Sequence, residues 1–222
     1  MKILKGLKKR RSIRAFKPDP VPREELLELI DAARWAPSWG NTQPWELVVA
    51  GGNTVKQLTA EFVEAVSHKV PPNPDIPMPD TFPEAAKSRY MTVAKELFEL
   101  MGIAREDKAA RQAHMLNMTR AFDAPHIIYI TFNGDFSIPY AMLDMGAIIH
   151  GMCLAACALE LGTCIEAQLA LYPNLIRKYL DIPVTHKIVV GIALGYPDKK
   201  ARINEFRTSR EPVENLVRWV DC

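Results

Sequence analysis

The chain has 222 residues, 48% of them apolar, which is enough for a folded core and too much for a disordered or fibrous chain. Its 28 Lys and Arg against 26 Asp and Glu leave a net charge of +2. That balance excludes a chain-wide field for gripping nucleic acid or an anionic membrane, so any anion site must be local.

In chain order, Met1 to Phe16 is basic and interrupted by charge, with no apolar run that would serve as a signal peptide. The expectation is a protein that stays in the cytoplasm. Within this segment Arg10-Arg11-Ser12-Ile13-Arg14 gathers guanidinium groups and a hydroxyl. Such a set suits a phosphate, because planar forks take its oxygens and the hydroxyl adds a donor. Taken alone it fits a solvated basic arm or a nucleic-acid contact as well. Residues 23–36 follow Pro22, carry Glu24 and Glu25 in the first turn and put Leu26, Ile30 and Ala33 on one face, which predicts an amphipathic helix ended by Pro37. A polar turn, Ser38-Trp39-Gly40-Asn41, leads into a strand over Trp45–Ala50, closed by Gly51-Gly52-Asn53, and then a helix from about Thr54 to Ser67.

Between Val70 and Pro83 stand six prolines, which forbid regular structure. Helical sequence resumes from about Glu84 through Arg120. Ile127–Phe132 and Lys187–Leu194 are short, apolar and β-branched, so they read as central strands buried on both faces, with Thr163–Glu166 as another strand. Asp144–Leu161 is apolar nearly all round, with Met145, Ile148, Met152 and Leu159 on one side and Ala147, Leu154, Ala158 and Leu161 on another. It is expected to be a buried central helix rather than a membrane anchor. Its small residues Gly146, Gly151, Ala155 and Ala156 favour close approach by a second chain. The fold class that follows is α+β: a three-layer α-β-α domain over 1–222, a mixed central sheet flanked by helices, and an excursion at about 68–112.

Four cysteines (Cys153, Cys157, Cys164, Cys222) lack the density of a secreted disulfide scaffold, and no second ligand cluster supports a metal site. His68, His114, His126, His150 and His186 are scattered, and none adjoins a nucleophile motif, so a hydrolase triad has no support. A second basic site, Arg207-Thr208-Ser209-Arg210, lies near the other end of the chain, with no glycine-rich phosphate loop between the two. A bound phosphate would be held by side chains.

The sequence resembles the nitroreductase family through Arg10-Arg11-Ser12-Ile13-Arg14-Ala15-Phe16, then Val21-Pro22, then Ala36-Pro37-Ser38-Trp39-Gly40-Asn41-Thr42-Gln43-Pro44-Trp45. The likeness continues through Asn117-Met118-Thr119-Arg120, Asp144-Met145-Gly146, Gly162-Thr163-Cys164-Ile165-Glu166, Gly195-Tyr196-Pro197 and Arg207-Thr208-Ser209-Arg210-Glu211-Pro212, and so covers nearly the whole chain. Within the family it looks most like bacterial nitrobenzoate-type reductases.

The resemblance implies a homodimer with the central helix at its interface and FMN held between the subunits. Arg10, Ser12, Arg14 and Arg210, with Arg11 and Arg207 beside them, would converge on the phosphate. Asn117 would face the flavin imide edge, and Arg120 would stand near N1 and the C2 carbonyl. Glu166-Ala167 would turn backbone toward N5; many relatives have Gly at the second of these positions, which leaves the local backbone open. Pro37, Ser38, Trp39, Gly40 and Asn41 would reach over from the partner, Trp39 walling the substrate pocket, although a core or interface Trp reads equally well from the residues alone. No catalytic side chain is implied, since the flavin does the chemistry with NADH or NADPH as co-substrate. The expected acceptor is a nitroaromatic. Quinones, enones or halogenated phenols are alternatives, as is a non-catalytic FMN carrier or sensor.

Overall fold

The structure, a computed structural model, describes residues 2–221, so Cys222 lies outside the described residues. The N-terminal segment opens with α1 (Ile3–Lys9), followed by α2 (Arg23–Ala33), β1 (Trp45–Gly51), α3 (Gly52–Ser67), α4 (Glu84–Met101) and α5 (Lys108–Thr119). Then come β2 (His126–Asn133), α6 (Ile138–Ala158), β3 (Gly162–Glu166), α7 (Pro173–Leu180) and β4 (His186–Gly195). The strands form one sheet in the order β1-β2-β4-β3, and all three ladders are antiparallel. The mixed character expected of the sheet is thus confined to one parallel bridge, Ser12 with Thr163. Apolar strands buried on both faces carry no signal of direction, which is why the sequence left this open.

Helices cover both faces of the sheet. On one, Ile128, Ile130 and Phe132 of β2 and Val190, Ile192 and Leu194 of β4 pack against Leu26 and Leu29 of α2 and Met145, Ile148 and Met152 of α6. On the other, Ile127, Tyr129, Ile188 and Ala193 meet Val55, Leu58 and Phe62 of α3 and Ile176 of α7. The register jumps between Ile130, opposite Val190, and Thr131, opposite Ile188, so Val190 and Ile188 face opposite layers.

Several boundaries differ from expectation for local reasons. The helical run from Glu84 breaks in two because Gly102 (φ 69°) caps α4, and Asp107 caps α5 by accepting the Ala110 N–H at 2.9 Å. The central helix begins at Ile138 rather than Asp144, since Pro139 sits in the first turn, where it needs no intrahelical donor. In α2 the buried residues are Leu26, Leu29 and Ala33, while Ile30 is only half-buried. Neither α1 nor α7 was anticipated.

The central helix is long and apolar enough by length and composition to cross a membrane, yet one side of it packs on the sheet through Met145, Ile148, Met152 and Ala156. The other side is not enclosed by this chain. Leu143 is 69% exposed, and Gly146, His150 and Ala158 lie along the same open side. Within one chain the helix is therefore buried on one side only.

Candidate active site

The two basic segments, far apart in sequence, meet in one cavity of about 300 Å³ lined by Lys8, Arg10, Arg11, Ser12, Arg14, Phe206, Arg207, Thr208 and Arg210. Among the described residues no carboxylate lines it. Burial, and after it the charge of Arg207, hold the Arg11 guanidinium below its ordinary range. Arg14 lies over the Phe206 ring at 5.8 Å, a cation–π contact that keeps its guanidinium at the cavity wall. Arg207 donates to the Lys8 carbonyl (2.9 Å), joining the two segments, and Arg210 curls onto Thr208 Oγ1 (2.6 Å). Concentrated cationic donors without a counter-charge fit a multiply charged anion.

One buried residue that sequence reasoning missed ties the cavity together. Asn204 Oδ1 accepts the backbone N–H groups of Arg14 (2.7 Å) and Ala15 (3.2 Å), and Nδ2 donates to the carbonyls of Ala15 (2.8 Å) and Asp198 (2.9 Å). Its own carbonyl accepts from Arg11 Nε at 2.7 Å. One carboxamide thus fixes the strand that carries Ser12 and Arg14, and Ser12 is held in register by the Ile13 N–H bonded to the Thr163 carbonyl (2.9 Å). No local motif marks Asn204, because its partners lie some 190 residues away.

From Thr163, bridged to Ser12 of the cavity wall, β3 runs on to its end at Glu166. Glu166 is 5% exposed, and Ala167 follows at the surface as the first residue of a short 3-10 turn, Ala167–Ala170. Being first in the turn, the Ala167 N–H has no acceptor within it. Ala167 is not among the residues with positive φ, so a side chain there carries no left-handed strain, which answers the question left open by the sequence. The end of α5 packs on this turn, with Gln168 Nε2 donating to Thr119 Oγ1 at 3.4 Å. Asn117 and Arg120 stand there together, Arg120 Nη2 donating to Asn117 Oδ1 (3.2 Å) and Arg120 Nε to Asp123 (3.1 Å). The Asn117 oxygen has a second lone pair for another donor. His114, one turn earlier on α5, is held below its usual pKa by burial and then by the charge of Arg14, which shows how near α5 comes to the basic cavity.

The Trp39 turn lies elsewhere. Its backbone needs left-handed geometry at Gly40 (φ 55°) and Asn41 (φ 59°), and it is locked by Gln43 N–H to Ser38 Oγ (2.9 Å) and Trp39 N–H to Asp144 Oδ1 (3.0 Å). Trp39 is 65% exposed and meets Tyr140 with ring centres 5.7 Å apart. With Pro44, Phe136 and Ser137 they line an apolar cavity of about 400 Å³. This cavity sits at the Asp144 end of α6, whereas Cys157 of α6 lines a cavity that shares Arg10 and Arg11 with the basic one. The thirteen residue steps from Asp144 to Cys157 along α6 amount to roughly 20 Å. Within one chain, Pro37–Asn41 and the arginines are therefore not brought together. Cys153, Cys157 and Cys164 are free thiols, and burial pushes Cys164 up to about 12.

Comparison with known proteins agrees with this geometry. The nitroreductase family model matches residues 7–196. A 4-nitrobenzoate reductase from Pseudomonas putida is 32% identical over 213 residues, 95% of this chain and 92% of that protein. Among solved structures, the FMN-dependent nitroreductase NfnB from Mycobacterium smegmatis in complex with NADPH superimposes with a TM-score of 0.91 at 29% identity, covering 98% of each chain. An FMN and NADPH-dependent nitroreductase NfnB from Sphigopyxis sp. strain HMH gives 0.93 at 28% identity over the full length of both.

Proposed function

The chain belongs to the nitroreductase family, and on that premise we propose that it is an FMN-dependent oxidoreductase passing electron pairs from NADH or NADPH to a nitroaromatic or similar small acceptor. The observation that carries this reading is the cavity, free of carboxylates among the described residues, where Arg10, Arg11, Ser12, Arg14, Arg207 and Arg210 converge. A phosphate monoester bears close to two negative charges, and burying it requires several charge-assisted donors, which this cavity supplies.

With its phosphate held there, FMN supplies at N5 the hydride acceptor and donor that no side chain can provide. The protein's own contribution is placement and field. Asn117 would offer both ends of a carboxamide to an imide edge, and Arg120 would put a permanent cation near N1 and the C2 carbonyl, where negative charge would gather. The Ala167 N–H would be the donor for N5. The nicotinamide and the acceptor would occupy the same face in turn, a ping-pong order. A nitro group that takes a hydride also needs one proton to lose water and become a nitroso group.

We further infer a homodimer that completes the site. Trp39 and Asn41 stand far along α6 from the arginines of their own chain, and the open α6 side around Leu143 and Gly146 provides an apolar surface on which a second copy would bring its Trp39 turn to those arginines. Trp39 and Tyr140 would then wall the acceptor pocket by stacking. We place this activity in the cytoplasm and in residues 1–222 acting as one domain, with 68–112 as an excursion beside the site.

The decisive experiment is the visible spectrum of the purified protein before and after anaerobic NADH or NADPH. Flavin bands that bleach, and recover when a nitroaromatic is added, are the expected result. A colourless protein that does not take up added FMN would overturn the reading.

A further inference from the structure

Glu166 turns its side chain into the layer between the sheet and α3, on the same face as Cys164 two residues earlier. Both carboxylate oxygens are sealed from solvent, and neither has a hydrogen-bond partner among the described residues. Across the sheet Glu166 is opposite Gly191, and Gly191 is opposite Tyr129. The three residues make one row, so their side chains share a face, and two strand spacings of about 4.8 Å separate the ends. Gly191 leaves no room for a side chain in the middle of the row: a Cβ there would stand 2.7 Å from Cβ of Leu169 and 3.3 Å from Cε1 of Tyr129, so Leu169 and the Tyr129 ring fill the space over it. The Tyr129 hydroxyl, like the carboxyl, is buried and without a partner among the described residues.

The charged and titratable groups facing this carboxyl are Tyr129 from β2, Cys164 on its own strand and Arg14 from the N-terminal segment. Burial raises the carboxyl well above the ordinary Glu range, and the charge of Arg14 opposes that rise. An ionised carboxylate with no donors is among the costliest groups to bury. A neutral one both donates and accepts, and so matches a tyrosine hydroxyl. Arg14 is also a wall of the basic cavity, and its segment is joined to β3, the strand of Glu166, by the Ser12 bridge to Thr163 and the Ile13 N–H bond to the Thr163 carbonyl (2.9 Å).

We propose that Glu166 is a proton-binding site coupled to the phosphate cavity: the carboxyl holds its proton while an anion sits on Arg14 and releases it more readily when the anion leaves. An anion cancels the field of Arg14, which is the influence that favours ionisation of Glu166. By reciprocity, the anion binds more tightly when Glu166 is neutral, by the same factor. Neutral Glu166 also keeps negative charge out of the end of β3, just ahead of Ala167. This inference rests on the reading of the cavity as an anion site and extends it.

The test is infrared spectroscopy of the full-length protein freed of any bound flavin, with Glu166→Gln identifying the carboxylic C=O band and inorganic phosphate as the anion probe. The wild type at neutral pH should show an acid band that Glu166→Gln lacks, and phosphate should move the band's titration midpoint upward. The shift should correspond to about fivefold or more in proton affinity, the lower end of ordinary site coupling. In Arg14→Ala the midpoint should already be high and should no longer respond to phosphate. No acid band at neutral pH, or a midpoint indifferent to phosphate in the wild type, overturns the proposal. If Glu166→Gln fails to fold, Tyr129→Phe serves instead, since loss of the hydroxyl should shift the frequency of the same band. A protein with the coupled band but no flavin would sink the functional reading and leave this one standing; a flavoprotein without the band does the reverse.

Discussion

Replacing Asn204 by Ala removes one buried carboxamide and with it four hydrogen bonds that hold the arginine-bearing segment. Two partners, the carbonyls of Ala15 and Asp198, keep other donors, from Asp198 N–H (3.0 Å) and Ala201 N–H (3.3 Å) respectively. The other two, the N–H groups of Arg14 and Ala15, lose their acceptor. A buried group left unpaired costs about 1–3 kcal/mol. Because these two lie on half-buried residues, the lower half of that range applies to each, giving a total of roughly 2–4 kcal/mol. At about 2–4 °C per kcal/mol for a chain of this size, Tm should fall by roughly 4–16 °C. Flavin should also be retained less well, because the Arg14 backbone would no longer be positioned by the Asn204 side chain. Thermal unfolding and flavin stoichiometry read the two effects. A variant within about 0.5 kcal/mol of wild type, the range of an ordinary surface substitution, and still fully loaded with flavin would refute the claim that Asn204 clamps the site.

The double variant Arg14→Ala with Arg210→Ala should purify without flavin, and an unchanged flavin-to-protein ratio would refute the phosphate assignment. Leu143→Arg places a charge on the open side of α6 and should shift sedimentation from dimer to monomer with loss of flavin; no change in either would remove α6 from the interface. Glu166→Gln should flatten the pH dependence of stability. Burial raises the folded-state carboxyl above its unfolded value, so the stabilising proton is fully present below the ordinary Glu value of about 4.3 and is lost as pH rises through the folded value. Relative to wild type, the variant should therefore gain stability in alkaline urea titrations, and a gain that is the same at all pH values would contradict the assignment. Gly191→Ala should cost about 1–3 kcal/mol in urea titration through overpacking against Leu169 and Tyr129.

Much of this molecule is legible from the chain alone, where the controlling interactions are local. The buried runs of β2 and β4, the Pro22 start of α2 and the polar turn at Trp39 follow from period, turn chemistry and backbone limits within a few residues. Arg10–Arg14 and Arg207–Arg210 were both recognisable as anion donors, since guanidinium clusters announce their chemistry wherever they sit. Their convergence on one cavity, the Asn204 clamp that enforces it and the burial of Glu166 and Tyr129 in one cross-strand row through Gly191 were decided only by tertiary structure. So was the separation of Trp39 from the arginines at opposite ends of α6. In each case the partners are brought together by strand register or by contacts between distant segments. Sequence patterns state what a residue can bind, whereas its burial and its partners are properties of the packed chain.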